Sequence, residues 1–384
     1  MDKRAPHIAI VAGEVSGDRL GAPLMAALQK RYPQARFSGV GGRHMQAQGL
    51  LSLAPMDTLA VMGLAEVLRH LPAIFRLKKT ILQYWQDNPP DLYIGIDAPD
   101  FNLRIETALR KRGIATVHYV SPSLWAWKEK RIYKIRQAVD LMLCLFPFET
   151  DVYAKHGVEA VCVGHPMADR LSPMDIRLAR QQLSLPKQVP LLGLFPGSRR
   201  GEIERLLPMF LRAMMLMQVR EPALRAVISV ADAAHRGRIA EIIRQTCPPR
   251  QEIMLSDAES DVLMSACDVL MVASGTITLE AALLDRPMAV AYRVHPLTAK
   301  IARRLLKIDR FSLPNLLLQR DVVNEWIQED CTPEHLADDA GALLHDHARR
   351  GAQLLAFAEI RAALATQVSE RAADAVANLL ERKA

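Results

Sequence analysis

Cysteine is scarce and scattered in this chain. The five residues, Cys144, Cys162, Cys247, Cys267 and Cys331, form no C-x-x-C pair. A disulfide framework and a thiolate zinc site are thereby excluded, and a reducing compartment fits best. No apolar stretch reaches the length of an uninterrupted membrane span. The opening MDKRAPHIAIVAG carries too short an apolar run to read as a signal peptide. The three spaced glycines of the dinucleotide fingerprint G-x-G-x-x-G are missing, which disfavours a dehydrogenase. No recognisable basic module for nucleic acid is present, nor any short repeat or low-complexity tract.

What is there looks like a folded soluble enzyme: half of the residues are hydrophobic and 24% are charged. The formal net charge of +7 suggests a polyanionic partner. With 384 residues the chain exceeds the size at which one core stops growing, so two domains are expected. Apolar runs predict strands at 7–12, 92–97, 115–120, 139–145 and 160–163, and again at 191–195, 225–230, 252–255, 268–273 and 288–292, with helical patterns between them. Such alternation is the mark of βαβ units and parallel sheets. The segment 165–190, with Pro166, Pro173, Pro186 and Pro190, reads as a linker, and the Ala-rich last 50 residues read as helices.

Several turns carry chemistry. The first strand runs into Gly13-Glu14-Val15-Ser16-Gly17-Asp18, where small residues let a polar ligand approach the backbone, although Glu14 would repel a phosphate. An ordinary helix start capped by Ser16 or Asp18 is the competing reading. In the second half, Pro196-Gly197-Ser198-Arg199 joins a strand to a helix and offers backbone N–H groups and a guanidinium to an anion. Ser274-Gly275-Thr276 does the same after another strand, and Glu280 lies one turn further on, in reach of a ribose diol. Asp97 and Asp100 close a buried strand as candidate bases or as turn-forming aspartates. His118 and His165 stand near strand ends as further candidates.

The run Ser121-Pro122-Ser123-Leu124-Trp125-Ala126-Trp127-Lys128 holds two of only four tryptophans beside basic residues, suited to an anionic, partly apolar substrate or to anchoring a loop. Residues 59–85 mix large apolar side chains, Leu68, Leu71 and Phe75 among them, with Arg69, Arg76, Lys78 and Lys79. This reads as an interfacial membrane element or as a core helix with a solvated basic face.

Taken together and in order, A-G-E-V-S-G-D at 12–18, G-I-D-A-P-D-F-N at 95–102, Y-V-S-P-S-L-W-A-W at 119–127, P-G-S-R at 196–199, S-G-T at 274–276 with Glu280, and S-L-P-N at 312–315 closely resemble the lipid-A-disaccharide synthase family over nearly the whole chain. The resemblance implies an α/β fold of two Rossmann-like doubly wound domains facing a cleft, the GT-B arrangement, with C-terminal helices packing back. Expected are a membrane-facing acceptor domain over 1–168, a UDP-sugar domain over 169–345, and helices over 346–384 returning to the first domain or to a partner subunit.

The implied enzyme is an inverting hexosyltransferase that needs no metal and no cofactor. It joins UDP-2,3-diacylglucosamine to 2,3-diacylglucosamine 1-phosphate in lipid A biosynthesis and releases UDP. Implied partners are these two lipids and an anionic membrane surface but no nucleic acid, with a homodimer allowed. The implied location is cytoplasmic, peripheral on the inner membrane of a Gram-negative cell. Asp97 matches the family's general base. Arg199, Glu280 and Asn315 match donor positions, joined as donor candidates by Ser198, Ser274, Gly275 and Thr276. Glu14, Ser16, Gly17, Asp18, Asp100, Ser121, Trp125 and Trp127 fall to the acceptor or cleft side. Lys128 departs from the pattern, which expects arginine there, and so gives up bidentate phosphate recognition. Two other classes share parts of the pattern: a nucleotide-sugar epimerase or hydrolase with no lipid acceptor, and a non-catalytic membrane-associated binding module.

Overall fold

A computed structural model of the chain describes residues 5–59, 64–124, 129–249, 252–296, 298–300, 309–364 and 367–383, without the side chains of 64–71 and 129. Two compact units divide the chain: residues 1–169 with 365–384, and residues 170–364. The break falls within the proline-rich segment 165–190, which also carries the short helices Pro166–Arg170 and Ile176–Gln182.

The first unit is built on seven parallel strands: β1 (His7–Ala12), β2 (Arg36–Val40), β3 (Leu50–Ser52), β4 (Leu92–Ile96), β5 (Ala115–Tyr119), β6 (Leu141–Cys144) and β7 (Glu159–Cys162). Their order is β3-β2-β1-β4-β5-β6-β7. Continuous apolar runs such as β1 are buried on both faces, as a sheet covered by helices requires. The sequence did not announce β2. Its Arg36, Ser38 and Gly39 break any apolar run, yet Gly39 is what lets it pair: a Cβ there would sit 1.8 Å from the Ile10 carbonyl oxygen.

One face of this sheet is covered by helices Val15–Arg31 and Val368–Lys383. Val368, Ala372, Ala373, Val376, Leu379 and Leu380 recur at helical spacing and supply the buried stripe of the second. The carboxylate of Asp169 accepts the N–H groups of Gln367 (2.7 Å) and Val368 (2.9 Å), so the residue at which the chain leaves this unit caps the helix with which it returns. Lys30 and Arg31 pair with Glu370 along the same contact. The opposite face packs helices Leu64–Asp87 and Pro99–Arg110, with Leu77, Ile81 and Trp85 turned inward. Trp85 meets Tyr93 edge-on at 5.5 Å and donates to Ser38 Oγ.

Six parallel strands form the second unit: β8 (Leu191–Phe195), β9 (Arg225–Ser229), β10 (Ile253–Ser256), β11 (Val269–Ala273), β12 (Met288–Tyr292) and β13 (Glu325–Ile327), in the order β10-β9-β8-β11-β12-β13. Both sheets thus reverse direction beside their first strand, the doubly wound pattern. The helix His347–Ala363 belongs to this unit, whereas the expected boundary at 345 grouped it with the returning helices. Gln353 explains its allegiance: its amide accepts from Met288 N (2.8 Å) and donates to Met288 O (3.1 Å), clamping the helix to the start of β12. Among the described residues no helix is long and apolar enough to cross a membrane.

Val376, on the inner face of the returning helix, is fully buried. Val376→Asp, which places an unpaired carboxylate there, is expected to cost about 3 kcal/mol or more. Hydrogen exchange should then accelerate across 5–169 and 367–383 while 170–364 keeps its protection.

Candidate active site

In the second unit the sheet reverses between β8 and β11, and a cavity of about 450 Å³ opens over the carboxyl ends of β8, β9 and β11. Its lining brings together Gly197, Ser198, Arg199, Glu202, Ser229, Ser260, Ser274, Gly275, Thr276 and Glu280. Two helices start at its rim, Arg200–Arg220 and Thr276–Leu283, and the positive ends of their dipoles favour an anion. Gly197 takes a φ of 102°, and a Cβ there would strike Glu202 Oε2 at 2.3 Å. Gly275 caps the second helix with a φ of 155° and faces open space, leaving its backbone bare to a ligand. Arg199 is 84% exposed, so its guanidinium can swing onto a bound group.

Deeper in, Glu280 is buried and accepts from Ser260 Oγ at 2.5 Å. Burial pushes its carboxyl above the ordinary range, opposed by Ser260 and by Arg170. Six of the seven donor candidates therefore converge on one cavity. Asn315 does not line it. Buried, it accepts from Val322 N and Val323 N and donates to Val323 O and Glu325 Oε1. Glu325 in turn holds Phe311 N and Ser312, while Ser274 Oγ donates to Phe311 O (2.9 Å). Asn315 thus ties the 311–325 loop beneath the Ser274 turn, a supporting role with no free side-chain valence for a ligand. The sequence reading missed Ser229, Ser260 and Glu202, serines and glutamates too common to stand out without their neighbours.

In the first unit the reversal lies between β1 and β4, and there Gly13 meets Ala98. A Cβ on Gly13 would lie 2.8 Å from that of Ala98. Asp97 and Ala98 take φ values of 50° and 42°, a strained left-handed pair of non-glycine residues. Asn102 maintains it, donating to the carbonyls of Asp97 (2.8 Å) and Ile96 (3.2 Å), and Asp97 N donates to Tyr119 O (2.8 Å). Burial raises the Asp97 carboxyl above the ordinary carboxylate range, and the neighbouring Glu14 raises it further. The Ala98 N–H and the charge of His118 act against that rise. Ser16 Oγ donates to Glu14 Oε1 at 2.5 Å.

Asp18, expected on the acceptor or cleft side, is tied to the turn at His44 and Met45. Its carboxylate is buried and accepts His44 N (3.1 Å) and Met45 N (3.0 Å), with His44 Nδ1 at 2.7 Å. Burial pushes it up, but these partners outweigh that and hold it below the ordinary range. It pins the turn at Gly42, where a Cβ would sit 2.6 Å from Asp18 Oδ2. Gly17 is buried against Ala12. Asp100 is 93% exposed and pairs with Arg131 at 2.5 Å. Ser121 is buried against Tyr153 OH (2.8 Å) at the base of its loop. Trp125, Trp127 and Lys128 lie outside the described residues, as do the side chains of Leu68 and Leu71. Phe75 is 53% exposed beside exposed Arg76 and Lys79 and half-buried Lys78. His165, kept neutral by a pKa lowered to about 4 through burial, stacks on Phe146.

Comparison with known proteins decides the family. The profile described as lipid-A-disaccharide synthetase matches residues 8–379. A relative from Alcanivorax borkumensis, named lipid-A-disaccharide synthase, is 45% identical over 380 residues, covering 99% of each chain. This chain belongs to the lipid-A-disaccharide synthase family. Its fold is shared more widely. The UDP-GlcNAc 2-epimerase of Neisseria meningitidis, solved bound to UDP-GlcNAc, superposes with a TM-score of 0.60 at 11% identity, over 98% of this chain and 100% of the other. The calicheamicin glycosyltransferase CalG4 gives 0.59 at 16%, covering 99% of both. The synthase family is therefore built on the two parallel α/β domains of GT-B glycosyltransferases.

Because Glu14 raises the Asp97 carboxyl, Glu14→Gln is expected to lower its titration midpoint, keeping Asp97 ionised to more acid pH. Carboxyl carbon NMR of the two proteins checks the direction.

Proposed function

We propose that this chain transfers 2,3-diacylglucosamine from its UDP conjugate to the 6-hydroxyl of 2,3-diacylglucosamine 1-phosphate, the disaccharide-forming step of lipid A biosynthesis. The observation that carries the reading is the cavity at the β8/β11 reversal, where Ser198, Arg199, Ser274, Gly275, Thr276 and Glu280 meet in a chain of this family. Its volume suits a nucleotide sugar.

The chemistry follows from charge. As the bond from the anomeric carbon to the phosphate oxygen breaks, the sugar gains oxocarbenium character and negative charge gathers on UDP. The N-terminal N–H groups of helices Arg200–Arg220 and Thr276–Leu283, with the Arg199 guanidinium, oppose that charge where it develops. Glu280, one turn beyond Thr276, holds the ribose diol, with Ser260 fixing its carboxylate. Asn315 supports this turn from below. Asp97, in its left-handed turn, takes the proton of the acceptor hydroxyl as the new oxygen–carbon bond forms. A carboxyl raised by burial and by Glu14 is a stronger base than a solvated one, which suits this task.

Both substrates carry acyl chains, so they are presented at a lipid surface. Helix Leu64–Asp87 is the element proposed to meet it, on the cytoplasmic face of the inner membrane, with Phe75 entering the interface and Arg76 and Lys79 facing anionic headgroups.

The test of the reaction is UDP release in mixed detergent micelles from UDP-2,3-diacylglucosamine, with and without the acceptor. Release only with acceptor, alongside a new disaccharide, is expected. Release without acceptor indicates a hydrolase or epimerase, and no release removes the reading. Asp97→Asn should cut turnover at least 100-fold while leaving UDP affinity within about twofold, measured by calorimetry. Phe75→Ser should lower the fraction that sediments with anionic vesicles; unchanged partitioning contradicts the membrane role of this helix.

A further inference from the structure

Beneath the Asp97 turn lies a polar pair for which the proposed mechanism has no use. Glu106, on helix Pro99–Arg110, and His118, on β5, are both fully buried, with Oε1 and Nδ1 2.7 Å apart. Among the described residues neither Glu106 Oε2 nor His118 Nε2 has a hydrogen-bond partner. Each such orphaned group costs on the order of 1–3 kcal/mol, and a buried ionisable pair is often no more stabilising than apolar residues of equal volume. Stability therefore does not account for it.

The fold goes to some length to admit the pair. Gly95 on β4 is the register partner of His118 on β5. A Cβ on Gly95 would lie 2.3 Å from Glu106 Oε1, so the missing side chain is what lets the carboxyl pass under β4. Two residues further along the same two strands stand Asp97 and Val120, both with left-handed backbone. One turn before Glu106, on the same face of its helix, Asn102 grips the carbonyls of Ile96 and Asp97 and accepts from Tyr93 OH. A single helix thus fixes both the backbone of Asp97 and the imidazole behind it.

The ionisable groups around this point are few. Glu14 reaches Asp97 from the β1 turn, and His118 acts on it from β5 with the opposite sign. Tyr93 on β4 is influenced by Glu106. On β6, Met142 is the register partner of His118, and Cys144 falls on the same face by strand alternation.

We propose that Glu106 and His118 are positioning residues for Asp97: together they hold one proton, and the positive imidazole so oriented offsets Glu14 and keeps the buried base ionised. The inference rests on the reading of Asp97 as the base. It goes beyond it by assigning a task to two residues that cannot touch substrate.

Two measurements test it. The first is kcat/KM against pH for wild type, His118→Gln and Glu106→Gln. In His118→Gln the acidic limb is expected to move up by about one pH unit, with the rate returning to within threefold of wild type above it, and adding Glu106→Gln should cost nothing more. An equal loss at every pH with an unmoved limb overturns the proposal, since that is how a merely structural pair behaves. The second reads charge without turnover or substitution: nitrogen NMR of histidine-labelled wild type at pH 7.5. One slowly exchanging imidazole protonated on both nitrogens is expected. Finding every slowly exchanging imidazole neutral overturns the proposal. If wild type transfers no sugar, the base reading fails on that account, and the NMR result still decides the state of the pair.

Discussion

Both candidate sites of this molecule depend on where its two parallel sheets reverse direction. A parallel strand ends with its last carbonyls and the next helix's first N–H groups on the same side. Where the neighbouring connections run off to opposite faces, those groups are left uncovered. The first unit exposes the ends of β1 and β4 in this way, and the second those of β8 and β11. Glycines make the turns tight enough to use: Gly13 against Ala98, Gly197 over Glu202, and Gly275 with nothing above it.

The two reversals are electrostatically opposite. In the second unit, helix ends and Arg199 create a place for negative charge, with one carboxylate, Glu280, set deep and tied to Ser260. In the first, Glu14 stands beside Asp97 in a strained turn, and burial favours the protonated form of Asp97. The proposed transfer needs this division: one site to welcome the charge that departs with the nucleotide, the other to hold a base strong enough to accept a proton. Strain at Asp97 and Ala98 costs on the order of 1 kcal/mol per residue and persists because Asn102 and the β4–β5 ladder over-determine it.

Much of this was legible in the residues. Ten strands announced themselves as apolar runs because burial on both faces demands such runs. The glycine-bearing turns after β1, β8 and β11 stood out because backbone close to a ligand leaves little choice of side chain. What stayed hidden depends on distant partners. Strands β2, β3 and β13 are short or polar and are held by their neighbours rather than by composition. Asp18 looked like part of an acidic site, but its task is set by His44 and Met45, far along the chain. Asn315 was visible as a motif, yet only Glu325 and the Val322–Val323 backbone show that it supports the site from outside. Of the Glu106–His118 pair only His118 stood out, near a strand end; Glu106 left no signal, since the pair joins a helix to the following strand through the gap at Gly95.

The central claim is that the nucleotide is held at the reversal of the second sheet, and hydrogen exchange with and without UDP tests it most directly. Protection on adding UDP is predicted at 197–203, 229–231, 260 and 274–280, with the turn at 97–98 unchanged. Protection centred on the first unit, or none at saturating UDP, would contradict the account.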